Sequence, residues 1–350
     1  MKNNQAHFRG CLIGGAIGDA LGYPVEFMSM ERIKQKYGQD GIKDLSYAQP
    51  SGRAVISDDT HMTLFTAEGM LWADARGRER GICSYADCLF YSYQRWLYTQ
   101  TGKLGDESYH WILKDENLDC KTELLAMREL FVQRAPGNTC LSSLAASKNQ
   151  QYGNLANKVN NSKGCGGVMR AAPVGLYFYR SPESAFQIGA ESAAITHGHP
   201  SGYLSAGALA YIIAEIIRGL SIREAALGAL KNLNNYEKQE ECSEALYRAI
   251  ILADENISPS KAIQELGAGW VGEEALAIAL YCALKSPDDF SKAVCLAVNH
   301  SGDSDSTGSL CGNIVGAYLG LEGIPEKWPE RIELAEIILK ISDQLLAAVE

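Results

Sequence analysis

The sequence predicts an all-α protein, a single compact multi-helix domain over residues 1–350, and three observations carry that expectation. Apolar residues recur at helical spacing almost throughout, as in GYLSAGALAYIIAEIIRGL and AEIILKISDQLLAAVE. No succession of alternating β-branched runs is present, and no linker, charge block or low-complexity tract divides the chain. Glycines also recur every fourth residue in two places, at Gly10, Gly14, Gly18 and Gly22 and at Gly308, Gly312, Gly316 and Gly320.

Spacing of four puts each glycine set on one helix face. Glycine inside a helix costs up to about 1 kcal/mol relative to alanine. Close backbone approach of neighbouring helices is the natural compensation, so the two glycine helices are expected to pack together. Other helices announce their starts. Ser221 with Glu224 forms a capping box. Ser181-Pro182, Ser258-Pro259 and Ser286-Pro287 read as N-caps followed by proline at the first helical position. Short strands fit only near Ile42–Ser46 or Ala54–Ile56.

The composition is that of an ordinary globular chain: 350 residues, 46% hydrophobic and 21% charged. A formal net charge of −10 disfavours nucleic acid and anionic lipid as general partners. A nucleotide-like ligand would need a local device, such as backbone N–H groups, a metal or a few basic residues. The ten cysteines include no CxxC pair and mostly sit in apolar contexts, so they read as reduced, buried thiols of a cytoplasmic protein. The N-terminus does not look like a signal peptide, and the apolar stretch Cys11 to Val25 contains Asp19 and is too short to span a bilayer. No membrane segment is expected, and a monomer is the default.

Two acidic clusters stand beside these helices. Ser57-Asp58-Asp59-Thr60 precedes the pattern HMTLFTAEGMLWADA, and Asp303-Ser304-Asp305-Ser306-Thr307 precedes the second glycine helix. Hard cations such as Mg²⁺ take oxygen ligands, which carboxylates and flanking hydroxyls supply. Two clusters brought together could hold two ions that clamp substrate oxygens. Helix capping explains either cluster equally well when taken alone. An EF-hand is excluded, because Ile314 stands where the loop starting at Asp303 needs its bidentate glutamate.

A glycine loop, Ser162-Lys163-Gly164-Cys165-Gly166-Gly167, precedes an apolar helical stretch. Such loops let N–H groups approach phosphate oxygens, and Lys163 adds a positive charge. It is neither a Walker A loop nor a Rossmann fingerprint; alone it would read as a turn. His197 and His199 lack the further ligands that zinc requires. A helix end or a substrate contact is their expected role. His61 and His300 flank the acidic clusters and either tune them or simply pack. Glu26, after Pro24, is a candidate loop carboxylate. Trp270, after two glycines, either stacks on a ligand or joins the core.

Assembled, these segments resemble the ADP-ribosylglycohydrolase family, which includes ADP-ribosylarginine hydrolases and the glycohydrolase that reactivates ADP-ribosylated dinitrogenase reductase. The ordered set is GCLIGGAIGDALGYPVEF, SDDTHMTLFTAEGML, SKGCGGVMRAAPVGL, ITHGHPSGYLSAGALA, GAGWVGEEALAIAL and NHSGDSDSTGSLCGNIVGAYLG, spanning nearly the whole chain. The GDSDSTG and GWVGEEAL forms look like the arginine-directed branch rather than the serine-directed one.

The resemblance implies an all-α fold around a binuclear centre of two Mg²⁺ or Mn²⁺ ions. It implies Ser57, Asp58 and Asp59 as ligands of one ion, Asp303 and Ser306 as ligands of the other, and Asp305 as their bridge. It implies Ser162, Lys163, Gly164, Cys165, Gly166 and Gly167 as the diphosphate cradle, and His197 beside the distal ribose. Gly269 and Trp270 would line the scissile bond. Some relatives carry an adenine-stacking aromatic residue where this chain has Lys163, so the adenine contact must lie elsewhere. The implied activity is hydrolysis of the bond between ADP-ribose and a modified side chain, foremost arginine, with Asp59, Asp303 or Glu26 managing protons. The implied partner is an ADP-ribosylated protein or ADP-ribose conjugate. The alternatives are a non-catalytic ADP-ribose binder or toxin-immunity protein, a hydrolase of serine-linked or O-acetyl ADP-ribose, and a metal-dependent phosphohydrolase.

Overall fold

The computed structural model describes residues 4–48 and 51–350. Among them fifteen α-helices follow one another: α1 (Asn4–Gly22), α2 (Met30–Tyr37), α3 (Asp58–Arg80), α4 (Tyr85–Thr101), α5 (Asn138–Ala146), α6 (Ala172–Tyr177), α7 (Pro182–Ala194), α8 (Pro200–Arg218), α9 (Ile222–Leu233), α10 (Glu240–Asp254), α11 (Pro259–Leu266), α12 (Gly272–Lys285), α13 (Phe290–Val298), α14 (Ser304–Leu319) and α15 (Ala335–Val349).

The glycine helices α1 and α14 pair along their full length, as their spacing predicts. A Cβ on Gly18 would overlap the carbonyl of Gly308, and one on Gly312 would overlap that of Gly14. The missing side chains are therefore what lets two backbones touch. Asn313 of α14 crosses this seam and donates from Nδ2 to the Cys11 carbonyl at 2.8 Å. Both helices are buried nearly all round, the state of a helix with no solvent face.

Around this pair lie α3, α8, α12, α13 and α15. α8 is long and apolar enough to cross a membrane, yet 89% of its apolar window is buried inside the protein. A buried ion pair joins α3 to α4. Arg95 Nε donates to Glu68 Oε2 at 2.9 Å, with both side chains wholly inaccessible. Thr122 and Ser92 also donate to the Glu68 carboxylate, at 2.5 and 2.7 Å.

Most helix starts follow the sequence. Ser221 and Glu224 form the reciprocal capping box, and α7 and α11 begin at Pro182 and Pro259. Ser286-Pro287 does not start a helix. α13 begins three residues later, because the Asp289 carboxylate accepts the Lys292 N–H at 3.0 Å and makes the stronger cap, while Ser286 ends α12. Strand structure is smaller than expected and displaced. Two-residue strands, β1 (Tyr47–Ala48) and β2 (Arg53–Ala54), pair antiparallel, Tyr47 with Ala54 and Ala48 with Arg53. Ile42–Ser46 is not a strand.

Candidate active site

The close pairing of α1 with α14 decides where the acidic clusters go. Both clusters are helix N-termini, as the capping reading requires. Ser57 caps α3 by accepting the Asp59 N–H at 3.3 Å, and Asp303 caps α14 by accepting the Ser306 N–H at 3.2 Å. Capping and ligation are thus compatible, since a cap occupies one lone pair of an oxygen that carries two.

Asp19 of α1 brings the two ends together, and the sequence reading missed it as a site residue. Its buried carboxylate accepts from Ser57 N at 2.9 Å, Thr60 N at 3.1 Å and Thr60 Oγ1 at 2.5 Å. It therefore pins the start of α3 to the helix that α14 packs against. Its only signal in the sequence is a charge inside an otherwise apolar helix. A second unpredicted anchor is the segment before α5. Gly137 N donates to Asp58 Oδ2 at 3.1 Å, and the Arg134 carbonyl accepts the Asp58 N–H at 3.3 Å.

Carboxylates converge on one point. Oxygens of Glu26, Asp303 and Asp305 lie within 4.8 Å of one another. Asp305 Oδ1 accepts the Ser306 N–H at 3.0 Å, and the charge of Asp305 acts on Asp58 and Asp59. Burial pushes every member upward, and neighbouring negative charge adds to it for all but Asp305. Glu26 rises to about 10, by burial first and then by Asp305, Asp303 and Asp58. Asp19 rises to about 7, by burial and then Asp305. Asp58, Asp59 and Asp303 are all driven well above the carboxylate range. Among the described residues, Glu26 Oε2 and Asp59 Oδ1 are buried oxygens with no hydrogen-bond partner. Buried acceptors without donors, packed among like charges, fit a divalent cation. The cluster offers carboxylate and hydroxyl oxygens, the ligands that hard divalent cations take.

The glycine loop forms the adjoining wall. The Lys163 carbonyl accepts Gly272 N at 2.8 Å, and Cys165 N donates to the Trp270 carbonyl at 3.3 Å. Ser162 is fixed by Asn160 Oδ1, which accepts its N–H at 2.9 Å, and by Thr139 Oγ1 at 3.0 Å. Gly164 stands beside His197, and side chains on Gly166 and Gly167 would crowd Cys140 and Ala193. The Cys165 thiol donates to Asp303 Oδ2 at 2.8 Å and so ties loop to cluster. Lys163 differs from the expectation of a charge offered to phosphate. Its ammonium lies 2.5 Å from Glu273 and 2.9 Å from Glu241, which neutralise it and hold the loop against α10 and α12.

Three histidines are kept neutral by burial. His197 falls to about 3, with Nδ1 on Thr196 Oγ1 at 2.9 Å. His61 also falls to about 3. His300 falls to about 4 and meets Thr307 Oγ1 at 2.8 Å. His61 and His300 therefore pack as neutral rings. His199 caps α8 by accepting the Ser201 N–H at 3.2 Å, the expected helix-end role.

Gly269 adopts φ +83, and its α-carbon faces Thr307 and Asp303 with no room for a side chain without displacing Thr307. Ala268 and Gly269 donate their N–H groups to Glu274 Oε2 at 3.0 and 3.2 Å. This loop presents Trp270, which is not in the core but 42% exposed.

Known proteins place this arrangement. Residues 1–350 match the family described as ADP-ribosylglycohydrolase. The chain is 22% identical over 339 residues to the ADP-ribosylarginine hydrolase Tri1 of Pseudomonas putida, covering 96% of this chain and 77% of that one. It is 23% identical over 342 residues to the ADP-ribosyl-[dinitrogen reductase] glycohydrolase of Rhodospirillum rubrum, covering 95% and 93%. A solved structure titled ADP-ribosylglycohydrolase-related protein complex superimposes with a TM-score of 0.66 at 21% identity, over the full length of both chains. With a family match over its whole length, this protein belongs to the ADP-ribosylglycohydrolases.

Proposed function

We propose that this protein hydrolyses the N-glycosidic bond between the distal ribose C1″ of ADP-ribose and an arginine side chain, reversing mono-ADP-ribosylation with the help of two Mg²⁺ or Mn²⁺ ions. The observation that carries this reading is the convergence of Glu26, Asp303 and Asp305 beside a glycine loop, with Asp58 and Asp59 close enough to feel the Asp305 charge and with buried oxygens on Glu26 and Asp59 left unpartnered. The names of the two relatives, one arginine-directed and one acting on dinitrogen reductase, support the substrate class.

Ser57, Asp58 and Asp59 would hold one ion, Asp303 and Ser306 the other, with Asp305 between them. Bound cations supply positive charge for the ribose hydroxyls and offset the mutual repulsion of the carboxylates. The chain's own residues do the rest. The loop from Ser162 to Gly167 would cradle the diphosphate, and Ser162, bonded to Asn160 and Thr139, holds it in shape. Neutral His197 packs beside Gly164 and Gly166 and would stand on the distal-ribose side of the loop. Among Asp59, Asp303 and Glu26, both oxygens of Asp303 are engaged, by Ser306 N and by the Cys165 thiol. Asp59 is deeply buried, whereas Glu26 sits half-buried at the edge beside solvent. We therefore assign proton transfer to the Glu26 carboxyl, which would donate its proton to the guanidino nitrogen as the C1″–N bond breaks and be reprotonated by the water that adds to C1″. The surrounding carboxylates stabilise positive charge as it develops at C1″.

The test is to incubate the purified protein with an arginine-ADP-ribosylated protein and Mg²⁺, with and without chelator, and identify the products by mass. Intact ADP-ribose and unmodified arginine, both abolished by chelation, are expected. Release of phosphate would replace this reading with a phosphohydrolase. Binding of ADP-ribose without release from any linkage would replace it with a non-catalytic binder. The protein is expected to work as a cytoplasmic monomer.

A further inference from the structure

Two aromatic rings stand at the rim of the carboxylate cluster: Trp270, which the family resemblance puts beside the scissile bond, and Phe27, which has no role in the chemistry above. Phe27 directly follows Glu26 and is 68% exposed; Trp270 is 42% exposed. Their rings stack on one another, with centroids 5.3 Å apart and planes inclined by 19°. Large apolar rings left in water beside a dense negative cluster are not core packing.

Phe27 is also strained. Its φ is +62, a region that side-chain-bearing residues rarely occupy. The turn that imposes this is closed by Val25 N and Glu26 N, both donating to the Gly22 carbonyl at 2.9 Å, and by Met28 N, donating to the Val25 carbonyl at 3.0 Å. One backbone conformation thus turns Glu26 toward the cluster and Phe27 outward. The Trp270 backbone is held instead, by Cys165 N on its carbonyl and by Glu274 on the two preceding N–H groups. Of the two rings Phe27 is the more exposed, so its side chain is the one with solvent to turn into.

An aromatic face carries negative charge density and attracts a cation, and a planar guanidinium stacks on it well. The carboxylates behind the rings add to that attraction. At 5.3 Å the two rings leave no space between them for a planar group, which needs about 3.5 Å to each face. We propose that Phe27 and Trp270 form a clamp for the guanidinium that carries the ADP-ribose. Phe27 swings away, the guanidinium lies on the face of Trp270, and Phe27 closes over it. This proposal rests on the arginine reading and deepens it, because it gives the site a reason to prefer a cationic linkage over a neutral serine-linked one.

The test compares the wild-type protein with Phe27→Ala and Phe27→Tyr in the presence of Mg²⁺. It measures kcat and KM on arginine-linked and serine-linked ADP-ribose peptides, and Kd for ADP-ribose, which lacks the guanidinium. Phe27→Ala is expected to raise KM for the arginine-linked peptide about tenfold, to leave the Kd for ADP-ribose within about twofold, and Phe27→Tyr to behave as wild type. An unchanged arginine KM in Phe27→Ala overturns the clamp. So does an equal loss for ADP-ribose, which would mean that Phe27 shapes the loop and not the guanidinium contact. If the wild-type protein cleaves only the serine-linked peptide, the arginine reading itself falls, and that result is read without any variant.

Discussion

Asp19 shows how one residue sets the site without touching substrate. Its carboxylate satisfies two backbone N–H groups and a hydroxyl at the start of α3. Asp19→Ala strands these donors in a buried place, at a cost of about 1–3 kcal/mol each. The expected result is a lowered denaturation midpoint together with metal affinity weakened about tenfold or more, as for other residues that orient ligands. Normal metal titration in a folded Asp19→Ala protein would contradict this role. Asp305→Asn, at the point where the clusters meet, is expected to remove most hydrolytic activity, and near-normal turnover would refute the binuclear reading. At this scale the sequence was partly legible. Asp58, Asp59, Asp303 and Asp305 stand out because they sit beside serines directly before apolar helical patterns. Phe27 was not legible, since its exposure and positive φ follow from a turn that nothing in the string PVEF specifies.

At the scale of elements the seam between α1 and α14 is the critical contact. A Cβ on Gly18 or Gly312 has no space to enter, because backbone lies opposite. Gly18→Val is therefore expected to destabilise by about 3 kcal/mol or more, beyond the usual overpacking cost because rigid backbone cannot yield. It should also weaken metal binding, since Gly18 adjoins Asp19. Chemical denaturation and metal titration check both effects; a stable, metal-binding Gly18→Val would remove the seam from the argument. Arg95→Met gives a second test, between α3 and α4. It leaves Glu68 buried and unpaired, so a loss of about 3–5 kcal/mol is expected. The fourfold glycine period made the seam legible. The start of α13 was not, because Asp289 and Ser286 compete for the cap and only the competing end of α12 decides between them.

For the whole molecule, the buried charges predict how cations and protons compete. Glu26, raised to about 10 in the fold from about 4.3 unfolded, contributes stability that is fully present below the unfolded value. That contribution is lost as pH rises through the folded one. His61 and His197, lowered to about 3, and His300, lowered to about 4, act in the opposite sense against an unfolded value of about 6.5. Their stability is present above that value and fades as pH falls. The cation-free protein is therefore most stable at weakly acid pH. Divalent cations, by neutralising the carboxylates, remove the loss on the alkaline side. The rise in Tm on adding Mn²⁺ is expected to be clearly larger at about pH 8 than at about pH 5.5. Equal gains at the two values would mean that the carboxylates do not hold the ion.

The sequence by itself determined the fold class, the pairing of the glycine helices and the placing of both acidic clusters at helix starts. Those features are written in local terms: a 3.6-residue period, a four-residue glycine repeat, and carboxylates at helix starts. The tertiary structure alone decided which partners each charge meets. Lys163 faces Glu273 and Glu241 from two other helices, Cys165 faces Asp303, and Asp19 binds the start of α3. Such contacts join residues far apart in the chain. Their electrostatics depend on distance and burial, and no local pattern of residues encodes either.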